Sequence, residues 1–176
     1  MGPIGQRVVV TSNSTLDYSS WNATVLIRVD HPEEPLHLGI RQDSNTAQDF
    51  ALFVMEMIER GVLQRGDTLV YDNATVHISA EVFNELHTFM TNCGVRGVPL
   101  PTYSPELNPI ERCFNVVKHY LRYRRDPSAP LLRSIIRGFA RVTQKIVAAE
   151  YLYSAHYILD HLMLLPPPLR ALIQES

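Results

Sequence analysis

Apolar residues along this chain occur at two spacings, one typical of buried strands and the other typical of amphipathic helices. Trp21–Val29 is rich in β-branched residues, and Leu36–Ile40 follows it after a turn with two prolines, which predicts a β-hairpin. Thr68–Tyr71 reads as a short buried strand. Two further short strands are predicted at 7–11 and 95–100.

Helical spacing begins after Asn45-Thr46, two residue types that commonly cap helices. Ser79 is expected to cap a second helix, and Pro109 lies near the first turn of a third, which should run to Arg125. Apolar residues then recur at helical spacing across 131–146, and a last helix is predicted from about Ala148 to Leu164. The fold should therefore be mostly helices around a small sheet.

The order of the predicted elements indicates the fold class. An antiparallel hairpin comes first, and strand, helix, strand and helix then follow one another, which predicts a parallel βαβ arrangement. This is an α/β chain with a mixed sheet flanked by helices. We expect one domain over residues 1–176, with C-terminal helices from about residue 130.

Composition narrows the class of protein. The chain has 45% hydrophobic and 19% charged residues, as soluble globular proteins do. No apolar run is long enough to span a membrane, and no signal-peptide pattern opens the sequence, so we expect no membrane partner and no secretion. Cys93 and Cys113 form no metal-binding or disulfide pattern. We expect a nuclear location in a eukaryote and a cytoplasmic one in a bacterium.

The charge distribution is uneven although the net charge is only −2. Nine of the sixteen Lys and Arg residues lie between Arg112 and Lys145, where Asp126 is the one acid. Local potential attracts phosphate groups, so this segment predicts contact with nucleic acid. A merely solvated helical face is the alternative. The residues expected to contact DNA are Lys118, Arg122, Arg124 and Arg125.

Two carboxylates stand at positions suited to a metal site. Asp72 directly follows the buried strand, and ligand-binding groups of α/β sheets gather at the carboxyl ends of strands. Glu111 lies on the first turn of the third helix, after a loop with four prolines. A hard divalent cation that activates phosphodiester chemistry would suit such a pair. Asp72 could instead belong to an ordinary Asp-Asn turn, and Glu111 could only complement the helix dipole.

Two motifs carry a resemblance to a known family. Val70-Tyr-Asp-Asn-Ala-Thr-Val-His77 and Pro101-Thr-Tyr-Ser-Pro-Glu-Leu-Asn-Pro-Ile-Glu111 resemble the catalytic domain of DDE transposases of the mariner superfamily. The resemblance implies an RNase H-like fold, cleavage and strand transfer of DNA, and a possible homodimer. Asp72 and Glu111 would be the second and third acids of a catalytic triad that holds Mg²⁺ or Mn²⁺. Asn73 and His77 would support them, His77 as a further candidate for phosphate contact.

The first acid of that triad is not evident. In the family it lies on a strand before a glycine-rich stretch, which Gly5-Gln6-Arg7 resembles, so that strand would precede Met1. Asp17, Asp30 and Asp43 are weak substitutes, since they stand in polar loops or before a turn. We therefore expect a sheet without the family's first strand, unless residues 7–11 or a partner fill its place. The chain is expected to be truncated, with weak or no strand-transfer activity.

Two other functions remain open. The chain could be a decayed or co-opted transposase fragment that binds DNA or protein through its basic helix without cleaving DNA. It could also be a small RNase H-like nuclease of unrelated biology, which would not require the motif Ser104–Glu111.

Overall fold

The structure is a computed structural model that describes residues 4–10, 21–29, 31–42, 46–71, 80–101 and 104–164. A short 3₁₀ helix, Pro105–Leu107, precedes the third helix. No helix within these ranges is long and apolar enough to cross a membrane. The strands are β1 Ile4–Val10, β2 Trp21–Ile27, β3 Leu36–Arg41, β4 Thr68–Tyr71 and β5 Arg96–Pro99. The helices are α1 Ala47–Glu59, α2 Ala80–Cys93, α3 Pro109–Tyr123, α4 Leu131–Phe139 and α5 Gln144–Leu164.

The strands form one mixed sheet in the order β3-β2-β1-β4-β5. The pairs β1–β2 and β2–β3 are antiparallel, whereas β1–β4 and β4–β5 are parallel. The hairpin and the parallel βαβ arrangement are therefore confirmed. Such a mixed sheet covered by helices is the predicted α/β fold class.

β1 occupies the centre of the sheet, where the sequence left a gap open. It begins at Ile4 and pairs along its whole length with β2. Only its first two residues pair with β4, Ile4 opposite Val70 and Gly5 opposite Tyr71. Of the two candidates for that position, the segment near 7–11 and a partner, it is the chain's own N-terminal segment that fills it.

Helices cover both faces of the sheet, and the side chains of β2 are buried on both. Ala23, Val25 and Ile27 are buried in one cluster with residues of α3, α4 and α5. Leu26, whose side chain points to the opposite face, is buried in a second cluster with residues of α1 and α2. The two polar residues of the strand, Asn22 and Thr24, are buried as well, so both faces of β2 are covered.

α3 is packed closely against α4. A methyl group at Gly138 would lie 2.9 Å from Val117 Cγ1 and 3.3 Å from Tyr120 Cδ1, so the absence of a side chain lets the two helices approach. Phe114 and Phe139 also meet edge to face, with ring centroids 5.7 Å apart. These contacts hold α3 at a defined distance from the rest of the core.

Two predicted helix boundaries are wrong. α3 ends at Tyr123, so Arg124 is its C-cap and Arg125 lies beyond it. The apolar run over 131–146 is divided by a turn, and α5 begins at Gln144. In that turn Val142 is itself buried and its N–H donates to Phe139 O at 2.9 Å. The helical spacing continues through the turn because spacing reports which residues are buried, not whether the backbone is helical.

Candidate functional site

The loop before α3 places Glu111 on the first turn of that helix. Asn108 is the N-cap, and its Oδ1 accepts a hydrogen bond from Ile110 N at 3.3 Å. Asn108 is only 3% exposed, so the cap is part of the core rather than a surface feature. Pro109 follows at the first helical position, where its missing N–H costs nothing. The backbone that carries Glu111 is therefore held on both sides.

The buried face of α3 sets the direction in which Glu111 points. Ile110 is 0% exposed, and Phe114 and Val117 are equally enclosed in the same cluster. Glu111 lies one residue on, about 100° round the helix, and its side chain is half-buried. The carboxylate thus lies at the margin between the core and solvent. A metal ligand that must also meet a substrate needs such a position.

The ends of the two parallel strands lie side by side at one edge of the sheet. Tyr71 is the last residue of β4 and pairs with Pro99, the last residue of β5. Leu100 N donates to Tyr71 O at 2.8 Å and continues the pairing past both strands. The loop that leads to α3 starts from this edge. Asp72, Asn73 and His77 follow Tyr71 but lie outside the described residues, as do Asp17, Asp30 and Asp43.

The described residues supply one part of a possible metal site. Among them, no three His, Cys, Asp or Glu side chains form a group that could hold a metal ion. Glu111 offers a hard oxygen ligand on a fixed backbone, which fits a divalent cation. Cys113, two residues on, does not, because burial raises the pKa of its thiol to about 12. Asp72, the other ligand predicted from the sequence, follows β4 directly and lies outside the described ranges.

The predicted DNA-binding residues lie along and just beyond α3. Lys118 and Arg122 are exposed and share the side of the helix that begins with Glu111. Arg124 is exposed at the C-cap, and Arg125 is half-buried after it. A helix rises 1.5 Å per residue, so Glu111 and Arg122 are about 16 Å apart along the axis. This row is long enough to lie against several phosphates of a DNA strand.

A second side of α3 carries charged residues that sequence analysis did not single out. An open groove of ≈ 730 Å³ runs between α3 and α5, and Arg112, His119, Arg141 and Glu150 contribute to its lining. Arg112 and His119 are seven residues apart on α3, a spacing that could have indicated a shared face. Arg141 lies in the turn between α4 and α5, and Glu150 lies on α5. Their contributions depend on how these segments pack against α3, which spacing within one helix does not show.

The sequence matches the family model of the DDE superfamily endonucleases over residues 1–132. The chain belongs to this family. A comparison with curated proteins finds no sequence that matches.

Solved structures show the same fold at low sequence identity. The Mos1 mariner paired-end complex with Mn is similar with a TM-score of 0.63 and 14% identity, over 85% of this chain and 51% of that one. The Mos1 paired-end complex with the left transposon end gives 0.60 and 15%, over 85% and 50%. A simian T-cell lymphotropic virus intasome in complex with the PP2A subunit B56 gamma gives 0.52 and 10%, over 83% and 54%. The chain thus has the RNase H-like fold of transposase and integrase catalytic domains, and spans about half the length of these proteins.

Proposed function

We propose that this chain is the catalytic portion of a mariner-type transposase, a divalent-metal-dependent endonuclease that cleaves and joins DNA phosphodiesters. The observation that carries the proposal is Glu111, a half-buried carboxylate on a capped helix start, with a row of cations behind it on the same side of the helix. The family membership supports it. Solubility alone does not require an acid and cations in this order along one helix.

Asp72 and Glu111 are the proposed ligands of Mg²⁺ or Mn²⁺. When bound, the cation activates water or a DNA 3′-hydroxyl and stabilises the leaving oxygen. The chain's own part is to hold the carboxylates. The cap between Asn108 and Ile110 fixes the start of α3, which carries Glu111. The pairing of Tyr71 with Pro99 fixes the backbone position of the residue before Asp72. Asn73 and His77 are proposed to support Asp72 by hydrogen bonding, and His77 to contact a phosphate.

Lys118, Arg122, Arg124 and Arg125 are proposed to hold the DNA backbone while its phosphodiester lies at Glu111. Their charges are exposed or half-exposed, so they can exchange solvent ions for phosphates. The DNA would be transposon ends and a target, and the similarity to the Mos1 complex with the left transposon end supports the first of these. A homodimer would bring two such ends together.

The test is cleavage of a DNA duplex that carries a nicked or flanked transposon-like end, with Mg²⁺ or Mn²⁺ added. We expect cleavage to require the metal and to be lost in Asp72→Asn and in Glu111→Gln. Glu81→Gln is the matched control, because Glu81 is an exposed acid on the first turn of α2 and should not affect cleavage. Cleavage that survives Glu111→Gln, or that falls equally in Glu81→Gln, would contradict the proposal.

A second function is favoured by the cations, which do not depend on the carboxylates. The chain could bind DNA or a protein without cleaving DNA, as a co-opted transposase fragment would. In that case DNA affinity persists without metal, falls steeply with salt and decreases in Arg122→Ala, while no variant of Asp72 or Glu111 alters it. Metal-dependent cleavage by the unaltered chain would show that the chain does more than bind DNA or protein.

A further inference from the structure

The groove between α3 and α5 contains more positive than negative charge. Arg112, Arg124 and Arg141 line it together with one acid, Glu150. Asn115 and His119 add hydrogen-bonding groups on the α3 side. Even with Glu150 compensating one arginine, two positive charges remain. A concave surface with this charge concentrates anions from solution.

Two of the arginines are held by aromatic rings. The guanidinium carbon of Arg112 lies 3.6 Å from the centroid of Tyr153, and that of Arg141 lies 4.6 Å from the centroid of Tyr120. Stacking on a ring restrains the side chain while its N–H edge can still donate hydrogen bonds. Little side-chain entropy then remains to be lost when an anion binds. Arg112 is further oriented by Glu150, with Nε 3.4 Å from Oε2.

The groove is on a different side of α3 from Glu111, Lys118 and Arg122, and Arg124 belongs both to the groove and to the proposed DNA contacts of that row. Arg112 directly follows Glu111 and so lies about 100° round the helix from it. From Arg112 to Arg124 the axis advances about 18 Å, more than a single phosphate ion can occupy. Tyr153 on α5 is 45% exposed, and Tyr123, the last residue of α3, is 64% exposed. Exposed rings beside cations are characteristic of surfaces that stack nucleic-acid bases.

We propose that this groove is a second nucleic-acid site, which binds the sugar–phosphate backbone of a DNA strand away from the cleaved phosphodiester. Arg141 and Arg124 contact phosphates, and Arg112 does so from its stacked position on Tyr153. This proposal rests on the proposed function in that the same DNA would continue from the Glu111 row into the groove. The binding itself needs neither carboxylate nor metal, so the two proposals can fail separately.

The test measures binding of a fluorescein-labelled single-stranded oligonucleotide and its duplex to the full chain by anisotropy, in EDTA and over a range of salt. Arg141→Gln and Arg112→Gln should each weaken binding roughly fivefold to tenfold. Each should also lower the salt slope for the duplex by about 0.9. Arg96→Gln is the control for loss of one charge, because Arg96 is exposed at the start of β5. Glu150→Gln should strengthen binding, since it removes the acid of the groove.

Several results would overturn the proposal. One is that Arg141→Gln and Arg112→Gln behave like Arg96→Gln while their circular dichroism and melting temperature match the unaltered chain. Another is that inorganic phosphate competes as well as the oligonucleotide does, which would make the groove a site for free phosphate. A third is that polyglutamate binds as tightly with the same arginine dependence, which would indicate an acidic peptide.

Discussion

Helices α1 and α3 start in the same way, yet their acids have different surroundings. Each has an N-cap residue, Thr46 or Asn108, and an acid three positions later, Asp49 or Glu111. In α1 the acid completes a capping box, with Thr46 N donating to Asp49 Oδ2 at 2.9 Å. In α3 the cap is made by Asn108 with Ile110 N, and cations follow the acid along the helix. An N-cap residue followed three positions later by an acid therefore occurs both with a structural acid and with a candidate catalytic acid.

The largest expected effect is the difference in DNA cleavage between variants that neutralise one or the other of these two acids. Glu111→Gln should reduce DNA cleavage to the level seen without metal, because a bound cation supplies several kcal/mol of transition-state stabilisation. Asp49→Asn should leave cleavage within about twofold, since Asp49 serves the cap and Arg41. Initial rates of cleavage and urea unfolding of both variants check this. Equal losses of activity in the two variants would contradict the assignment of a catalytic role to Glu111 and a structural role to Asp49.

The sequence predicted most helices and strands, but it did not predict the contacts between segments that are distant in the chain. Thr68–Tyr71 is confirmed residue for residue, and of the two possible caps, Asn45 and Thr46, the N-cap of α1 is Thr46, because strand burial and capping are local properties. The turn that contains Val142 was missed, since a buried turn residue keeps the helical spacing. Similarly, the groove beside α3 depends on the packing of α5, a contact between segments that no local pattern specifies.

The candidate site shows the same division. Glu111 stands where the sequence predicted it, on the first turn of the third helix, because Asn108 and Pro109 are local signals for a helix start. The row of Lys118 and Arg122 on its side follows from helical periodicity alone. The meeting of Asp72 with Glu111 is a long-range relation and stays a prediction.

The next largest effect concerns how α3 is anchored. Ile110→Ala should cost about 2–5 kcal/mol of stability, because Ile110 is fully buried beside the sheet. It should also reduce cleavage below the melting temperature, since Glu111 is the next residue and the cavity loosens the helix start. Met57→Ala on α1 is the matched control, with Met57 also buried and a similar expected cost.

Thermal melts and cleavage rates of both variants, taken where each is folded, distinguish anchoring from general stability. Met57→Ala should keep the activity of the unaltered chain. A decrease in activity that simply follows the loss of stability in both variants would argue against a special role for Ile110.

A smaller effect compares the two caps themselves. Thr46→Ala and Asn108→Ala should each lower the free energy of unfolding by about 1 kcal/mol, because each leaves a backbone N–H of the first turn without its acceptor. Asn108→Ala should cost the more of the two, since Asn108 is buried and water cannot replace the lost acceptor. Chemical denaturation at neutral pH measures both. A larger loss for Thr46→Ala would show that the exposed capping box is the stronger cap.

The smallest effect is the pH dependence of the α1 cap. The hydrogen bond from Thr46 N lowers the pKa of Asp49 below its ordinary value of 3.8, and Arg41 lowers it further. A carboxyl with a depressed pKa in the folded state stabilises the fold above its unfolded pKa and loses that contribution as pH falls through the folded pKa. The stability difference between the unaltered chain and Asp49→Asn should therefore be constant from pH 7 to about pH 5 and shrink below pH 3.8. Asp126, whose pKa is lowered by Ser128, titrates in both proteins and cancels from this difference. Urea unfolding of both proteins across this range measures the change, and a difference that grows on acidification would contradict the assigned role of Asp49.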